Sequence, residues 1–232
     1  MKKSNSIGMS KWDLDTPCLL VDIDMLEDNI RKMKDFAASV GKKLRPHCKT
    51  HKCSKIAELQ MKAGVAGLCT AKISEAEILI DKGIKNILIT SPVVSQSKIE
   101  RLFACATKSP EFMIVVDNAD NAAALSKGAA RRNMKLNVLM DVDPGLGRTG
   151  VSYGNAIEFA KFLHGLTGIS LKGMQCYAGH LQHLKGYPER TKRSLECMRH
   201  AADLFNSLKK EIPGFNILTG TGTGTYDIDS QI

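Results

Sequence analysis

At 232 residues, with 43% hydrophobic and 25% charged side chains, the chain has the composition of an ordinary soluble globular protein able to bury a sizeable core, which excludes fibrous and disordered classes. One domain is the default expectation, with two still compatible. A formal charge of +9 suits nucleic acid or an anionic small molecule, but aromatics are only 5% of the chain and no basic run is interleaved with them, so stacking on bases is poorly supported and no nucleic-acid partner is expected.

The N-terminal stretch MKKSNSIGMSKWDLDTP carries lysines without an apolar segment behind them, and no run of about eighteen apolar residues follows anywhere. No membrane association and a cytoplasmic location are the expectation. CLLVDI then reads as a strand, and DMLEDNIRKMKDFAASVG as a helix: Leu26, Ile30, Met33 and Phe36 recur at helical spacing, Asp24 and Glu27 resemble a capping box, and Gly41 can end it. The alternation repeats with KLRPHCKTH and KCSKIAELQMKAG, then with VAGLCTAK and ISEAEILIDKG, where Ser74 and Glu77 form a second capping-box pattern. NILITSP precedes QSKIERLFACAT, FMIVVDN precedes ADNAAALSKGAARR, and LNVLMDVD runs through PGLGRTG into NAIEFAKFLHG. ISLKGMQCYAGH leads to ERTKRSLECMRHAADLFNSLKK, and FNIL ends in TGTGTGTYDID. Such regular strand and helix alternation means a parallel sheet, and eight strand candidates favour a (β/α)8 barrel of the TIM type over a doubly wound sheet. The last strand lacks a covering helix, so the barrel is expected to be incomplete at its C-terminus. Seven scattered cysteines without a CxxC pair read as reduced, mainly buried thiols.

The residues that carry chemistry fall just past the carboxyl ends of the predicted strands, the rim where barrels place their sites. Lys49 sits in RPHCKTHK, crowded by Arg45, His47, His51 and Lys52. Like charges and partial burial would favour its free amine, the form that attacks carbonyls, although alone it reads as a solvated lysine. Arg148 in DPGLGRTG can hold a phenolate or carboxylate oxygen, or be an exposed loop arginine. In CYAGHLQH, the Tyr177 hydroxyl can bond a ring nitrogen and His180 can move protons near neutral pH. His180 and His183 have no third ligand nearby, so a metal site there is a weak rival. In GTGTGTY, glycines allow close backbone approach to an anion and the threonines add donors, yet no GK[ST] or G-x-x-G spacing follows, and a flexible turn reads equally well. A lysine facing a phosphate cradle across a barrel rim is what pyridoxal phosphate needs.

Together DTPCLLVDIDMLEDNI, RPHCKTHK, VDPGLGRTG, CYAGH and GTGTGTYDID resemble the D-threonine aldolase and D-serine dehydratase family, within the alanine-racemase-like fold type III of pyridoxal-phosphate enzymes. The resemblance runs along the whole chain, so residues 1–232 are expected to be one cofactor-binding barrel domain. It implies that Lys49 captures the cofactor aldehyde, Arg148 contacts its phenolic oxygen, and Tyr177 faces the pyridine nitrogen. Thr221, Gly222, Thr223 and Gly224 would bind the phosphate, and His180 would stand on the substrate side as a second catalytic residue. It further implies that CLLVDI pairs with a C-terminal β-domain instead of the barrel, leaving seven barrel strands here. That domain, with the last strand and helices, is expected to be absent. So are the ligands of a divalent metal, manganese or zinc, that orients the substrate hydroxyl, which puts activity of this chain in doubt. The expected activity of the intact protein is cleavage of a D-3-hydroxy amino acid to glycine and an aldehyde, by a homodimer. The alternatives are dehydration of D-serine or D-3-hydroxyaspartate, racemisation, and a non-catalytic cofactor-binding role.

Overall fold

The amphipathic runs fold as helices because one stripe of each can be buried against the sheet that the apolar runs build. The computed structural model describes residues 7–232. After a 3-10 turn at Lys11–Asp13, helix α1 (Ile23–Ser39) begins where the Asp22 carboxylate accepts the Met25 N–H at 3.0 Å. The cap is therefore Asp22 and not the predicted Asp24: the extended backbone of Asp22 lets its side chain reach back over the first turn. Gly41 ends the helix as expected. It takes a φ of +67°, and the N–H groups of Gly41 and Lys42 bond back to Ala38 and Ala37.

The chain continues as α2 (Ser54–Lys62), β1 (Leu68–Thr70), α3 (Ile73–Asp81), β2 (Ile87–Ile89), α4 (Gln96–Lys108), β3 (Met113–Val116) and α5 (Ala119–Ala130). Then come β4 (Leu136–Val142), α6 (Tyr153–Gly165), β5 (Ile169–Cys176), a 3-10 turn (Gly179–His183), α7 (Tyr187–Glu211), β6 (Ile217–Gly220) and α8 (Tyr226–Asp229). The second predicted capping box does not form. Helix α3 starts at Ile73, two residues before a Ser74 cap would set it, and has no side-chain cap; Glu75 accepts the Ala71 N–H at 2.9 Å, while Glu77 turns outward to Arg101 of α4.

All six strands are parallel and lie side by side in chain order, β1-β2-β3-β4-β5-β6. Residues 44–48 add a seventh position beside β1: Ala66 N–H donates to Leu44 O, Cys69 N–H to Pro46 O and Cys48 N–H to Cys69 O, each at 2.8 Å. Only His47 and Cys69 form a bridge there, because proline removes one donor from the ladder. The sheet is thus a seven-position wall, the incomplete barrel expected, with one strand fewer than the eight counted in the sequence. CLLVDI is not a strand: residues 18–22 have no regular structure, and Leu19, Leu20 and Val21 are exposed, because no neighbouring strand among the described residues offers them partners. Between residues 42–45 and β6 the wall is open, bounded by Phe36 of α1 and Tyr226 of α8, and the seam opens into a cleft of about 840 Å³.

Alternate strand residues explain the two apolar clusters. Ile87 and Ile89 face the helices with Phe103, Phe112 and Phe215 in the main core, while Leu88 joins Cys69, Met113, Val115 and Leu139 in a smaller cluster on the opposite face, inside the wall. Full burial of such a leucine or phenylalanine contributes roughly 1.5–3 kcal/mol. All seven cysteines are free thiols, four of them buried. No helix among the described residues is long and apolar enough to cross a membrane.

Candidate active site

The wall delivers its polar residues to the carboxyl ends of the strands. Lys49 follows immediately on the last ladder bond of residues 44–48, in a tight turn where Lys52 N–H reaches Cys48 O at 2.8 Å and Lys52 takes a φ of +47°. His47 braces that turn from below. Its Nδ1 accepts the Lys49 backbone N–H at 3.2 Å, which assigns the ring proton to Nε2, 3.1 Å from Thr90 Oγ1. Burial first, then the positive charges of Lys49 and Arg148, push the His47 imidazole down to about 4, so it is neutral near pH 7.

From His47 a polar layer crosses the floor of the wall. Thr90 Oγ1 donates to Thr70 O at 3.3 Å, and Gln175 Nε2 donates to both Thr90 O at 3.2 Å and Asp141 Oδ1 at 2.8 Å. Asp141, 2% exposed, accepts the Thr149 hydroxyl at 2.8 Å on its other oxygen; burial holds its carboxyl above the usual range while these two bonds oppose the shift. Thr149 adjoins Arg148, so the Lys49 and Arg148 segments are joined through side chains that fill the floor. The Arg148 loop is itself rigid: Asp143 accepts N–H groups of Gly145, Leu146 and Gly147 at 2.8–3.1 Å, and Gly150 N–H donates to Asp117 at 3.0 Å. Gly150 has a φ of +106°, and a Cβ there would lie 2.5 Å from the Asp143 nitrogen.

Tyr177, just past β5, is where these segments meet. The Lys49 ammonium lies 5.9 Å and the Arg148 guanidinium 5.0 Å from the centre of its ring, so two cations share one π surface. The Tyr177 hydroxyl accepts a 2.8 Å bond from Gln182 Nε2, and Gln182 Oε1 accepts Gly224 N–H at 3.2 Å. One amide thereby ties the tyrosine to the glycine loop beyond β6. Thr221 to Gly224 form that loop, with Thr221 at a φ of +67° and Thr223 exposed. No acceptor for the N–H groups of Gly222 and Thr223 is found among the described residues. Behind the loop, buried Asp229 accepts hydroxyls from Thr221 at 2.5 Å, Thr225 at 2.7 Å and Ser194 at 2.5 Å. The Thr221 hydroxyl therefore braces the loop instead of pointing out of it as a donor.

Of the residues singled out in the sequence, the structure brings together Lys49, Arg148, Tyr177 and, through Gln182, the glycine loop. Lys49 is exposed, so the partial burial expected of it is not found, and of the like charges expected around it His47 is neutral and Lys52 faces Glu75; the cation that shares its surroundings is Arg148. Arg45 leaves the cluster: it sits at the opposite end of the strands, bonded to Asn86 O and, at 3.1 Å, to Asn86 Oδ1. His180 is exposed on the 3-10 turn and makes no hydrogen bond to Lys49, Arg148 or Tyr177 among the described residues. Among the described residues no group of three or more His, Cys, Asp or Glu side chains is placed to hold a metal ion. Sequence reasoning missed Gln182, Asp229 and the Asp141–Gln175 pair. The last of these had a legible signal, a carboxylate and an amide inside otherwise apolar strands; Gln182 had none, being one polar residue in a histidine-rich turn.

The residues that assemble this rim lie within a stretch, residues 21–225, that matches the family described as alanine racemase, N-terminal domain. The chain is 34% identical over 226 residues to a 3-hydroxy-D-aspartate aldolase of Paracoccus denitrificans, covering 97% of this chain and 58% of that one. It is 34% identical to a D-threonine aldolase of an Arthrobacter species over 94% of its own length and 57% of the relative's. The crystal structure of D-threonine aldolase from Filomicrobium marinum superposes with a TM-score of 0.90 at 34% identity, covering 94% of this chain and 59% of that one. The chain thus spans a little under three fifths of these relatives, and over that span, by family match and by fold, it belongs to the alanine racemase N-terminal domain family.

Proposed function

We propose that the chain is the cofactor-binding barrel of a pyridoxal-phosphate lyase that cleaves a D-3-hydroxy amino acid into glycine and an aldehyde. The observation that carries the reading is the convergence of the Lys49 and Arg148 cations on the Tyr177 ring, with the glycine loop tied to the tyrosine hydroxyl. The residues fit the cofactor. Unpaired N–H groups at Gly222 and Thr223 are donors for a phosphate, Arg148 is a partner for a phenolate, and Lys49 offers an accessible primary amine. When bound, pyridoxal phosphate supplies an aldehyde that captures the substrate amine and a conjugated ring that stabilises negative charge at Cα.

The chain's own contribution is placement and proton control. Neutral His47 holds the Lys49 backbone without adding a third charge to the rim. With the cofactor held there, Arg148 would neutralise an anionic ring oxygen and Tyr177 would offer its hydroxyl to the ring nitrogen. His180, exposed on the 3-10 turn that follows Tyr177, is assigned to the substrate side, where an imidazole can accept the β-hydroxyl proton as the Cα–Cβ bond breaks. The divalent metal that the resemblance implies finds no ligand group among the described residues, and no step is drawn through it. Cleavage is favoured over dehydration because the relatives at 34% identity are aldolases acting on D-3-hydroxy acids. A cytoplasmic, homodimeric protein remains the expectation for the whole molecule.

Incubation with pyridoxal phosphate, borohydride reduction and peptide mapping test this directly. The expected label is on Lys49 and is lost in Lys49→Ala. Label spread over several surface lysines, unchanged in that variant, would sink the reading. Aldehyde release from D-threonine and D-3-hydroxyaspartate, with manganese added, would then identify a lyase.

A further inference from the structure

Gln182 has a side chain whose every polar atom is spent on the candidate site, yet neither the sequence nor the resemblance marks it. Its Nε2 donates to the Tyr177 hydroxyl at 2.8 Å and its Oε1 accepts Gly224 N–H at 3.2 Å. The amide is held flat against the loop: a Cβ on Gly222 would fall 2.2–2.3 Å from its carbon, nitrogen and oxygen, and a Cβ on Gly224 would lie 2.7 Å from the Gln182 carbonyl oxygen. Its orientation follows from the partners. A flipped amide would set an N–H donor against the Gly224 N–H, so the Gly224 contact decides the orientation.

This arrangement fixes the polarity of Tyr177. A hydroxyl that accepts a hydrogen bond from Gln182 has its own proton to place elsewhere, and the two charged groups over its ring, Lys49 and Arg148, carry only donors when protonated. The proton is therefore directed at an acceptor supplied by the ligand. The same amide occupies one N–H of the glycine loop and leaves those of Gly222 and Thr223 for an anion. Resting on the cofactor reading above, we propose that Gln182 is a cofactor-positioning residue. Its amide locks the Tyr177 hydroxyl, as donor to an unprotonated ring nitrogen, to the phosphate-binding loop, so that the two ends of one pyridoxal phosphate are recognised by a single rigid donor set.

Gln182→Met keeps the length of the side chain and removes both bonds. Gln182→Glu keeps the acceptor for Gly224 but turns the Tyr177 bond round, since a carboxylate makes the hydroxyl donate to it, and sets a negative charge beside the loop. Dissociation constants for pyridoxal phosphate, pyridoxal and inorganic phosphate would be measured on the 232-residue chain, with circular dichroism reporting the fold of each variant. Gln182→Glu is expected to weaken pyridoxal phosphate and inorganic phosphate by about tenfold or more, and Gln182→Met to weaken pyridoxal and pyridoxal phosphate severalfold. Because Gln182 acts through Tyr177, Gln182→Met should cost nothing further for pyridoxal in a Tyr177→Phe background. If the wild type binds pyridoxal phosphate but folded Gln182→Met and Gln182→Glu bind it within about twofold of wild type, or the two substitutions add independently for pyridoxal, the inference is wrong while the cofactor reading stands. If Gln182→Glu fails to fold, Gln182→Met and the cycle decide. If the wild type itself does not bind pyridoxal phosphate, the cofactor reading falls and the inference with it.

Discussion

A histidine two residues from the lysine proposed to capture the cofactor invites a catalytic role, but the geometry gives His47 a supporting one, and that role has a pH signature. Both of its ring nitrogens are engaged, one by the Lys49 N–H and one at Thr90, in the neutral form only. Its folded value of about 4 lies below the ordinary 6.5, so between these values the unfolded chain binds the extra proton. Stability from this group is therefore complete above about pH 6.5 and is lost as the pH falls toward 4. Allowing for partial solvent screening, the loss is on the order of 2 kcal/mol. Urea unfolding at pH 7.5 and pH 5 should show wild type losing more stability than His47→Asn, which keeps an acceptor near the Lys49 N–H and cannot titrate. Equal losses in the two proteins would mean that His47 is not held neutral. The same comparison separates bracing from chemistry, because Lys49 itself is exposed and needs no buried proton acceptor to be reached by an aldehyde.

The Arg148 loop shows what an element contributes beyond the residues it presents. Asp143 collects the N–H groups of its first half, and Gly150 closes the second half at a φ of +106°, where a Cβ would meet backbone of Val142 and Asp143 at 2.5–2.6 Å. Backbone cannot swing aside as a side chain can, so Gly150→Ala should cost at least about 2 kcal/mol. Gly145→Ala, at a φ of +99° with nothing within 4 Å of its Cβ, should cost only about 1 kcal/mol of conformational strain. Unfolding midpoints for the pair check the ordering, and the Gly150 variant should also bind pyridoxal phosphate more weakly because Arg148 is displaced. At this scale the sequence was legible where periodicity and turn chemistry are local. The order of strands and helices, the glycine that ends α1 and the positions of Lys49, Arg148 and Tyr177 past strand ends could all be read from neighbouring residues. Gln182 could not, because its partner on the loop, Gly224, lies 42 residues away, and Asp229 gathers the distant Ser194 together with its neighbours Thr221 and Thr225, a set that no local pattern announces. The capping boxes misled for a related reason. Ser74-x-x-Glu77 satisfies a local pattern, but Glu77 finds Arg101 on the next helix a better partner than a backbone N–H.

Across the molecule the seven-position wall divides into a closed interior and an open seam, and the two parts should differ in dynamics. Strand β4 pairs with β5 over seven residues and with β3 over four, and six of its seven residues are buried, whereas β6 has β5 on one side only and its four residues are half-buried. Residues 44–48 form the other lip of the seam, bonded only to the β1 side. A strand with one neighbour opens without disturbing the core, so its amides exchange through local fluctuations, while those of β4 need the sheet to come apart. Native-state hydrogen exchange in increasing urea should give β4 amides a free energy that falls with denaturant as steeply as global unfolding does. Amides of β6 should exchange with a free energy lower by at least about 2 kcal/mol and nearly flat in urea. The glycine loop is rooted in β6, and pyridoxal phosphate should raise protection in β6 and at Gly224 while leaving β4 unchanged. Matching protection of β4 and β6 without ligand would show that the seam is closed in solution by a strand of a second copy. A size measurement in the same buffer, repeated on dilution, checks for that copy.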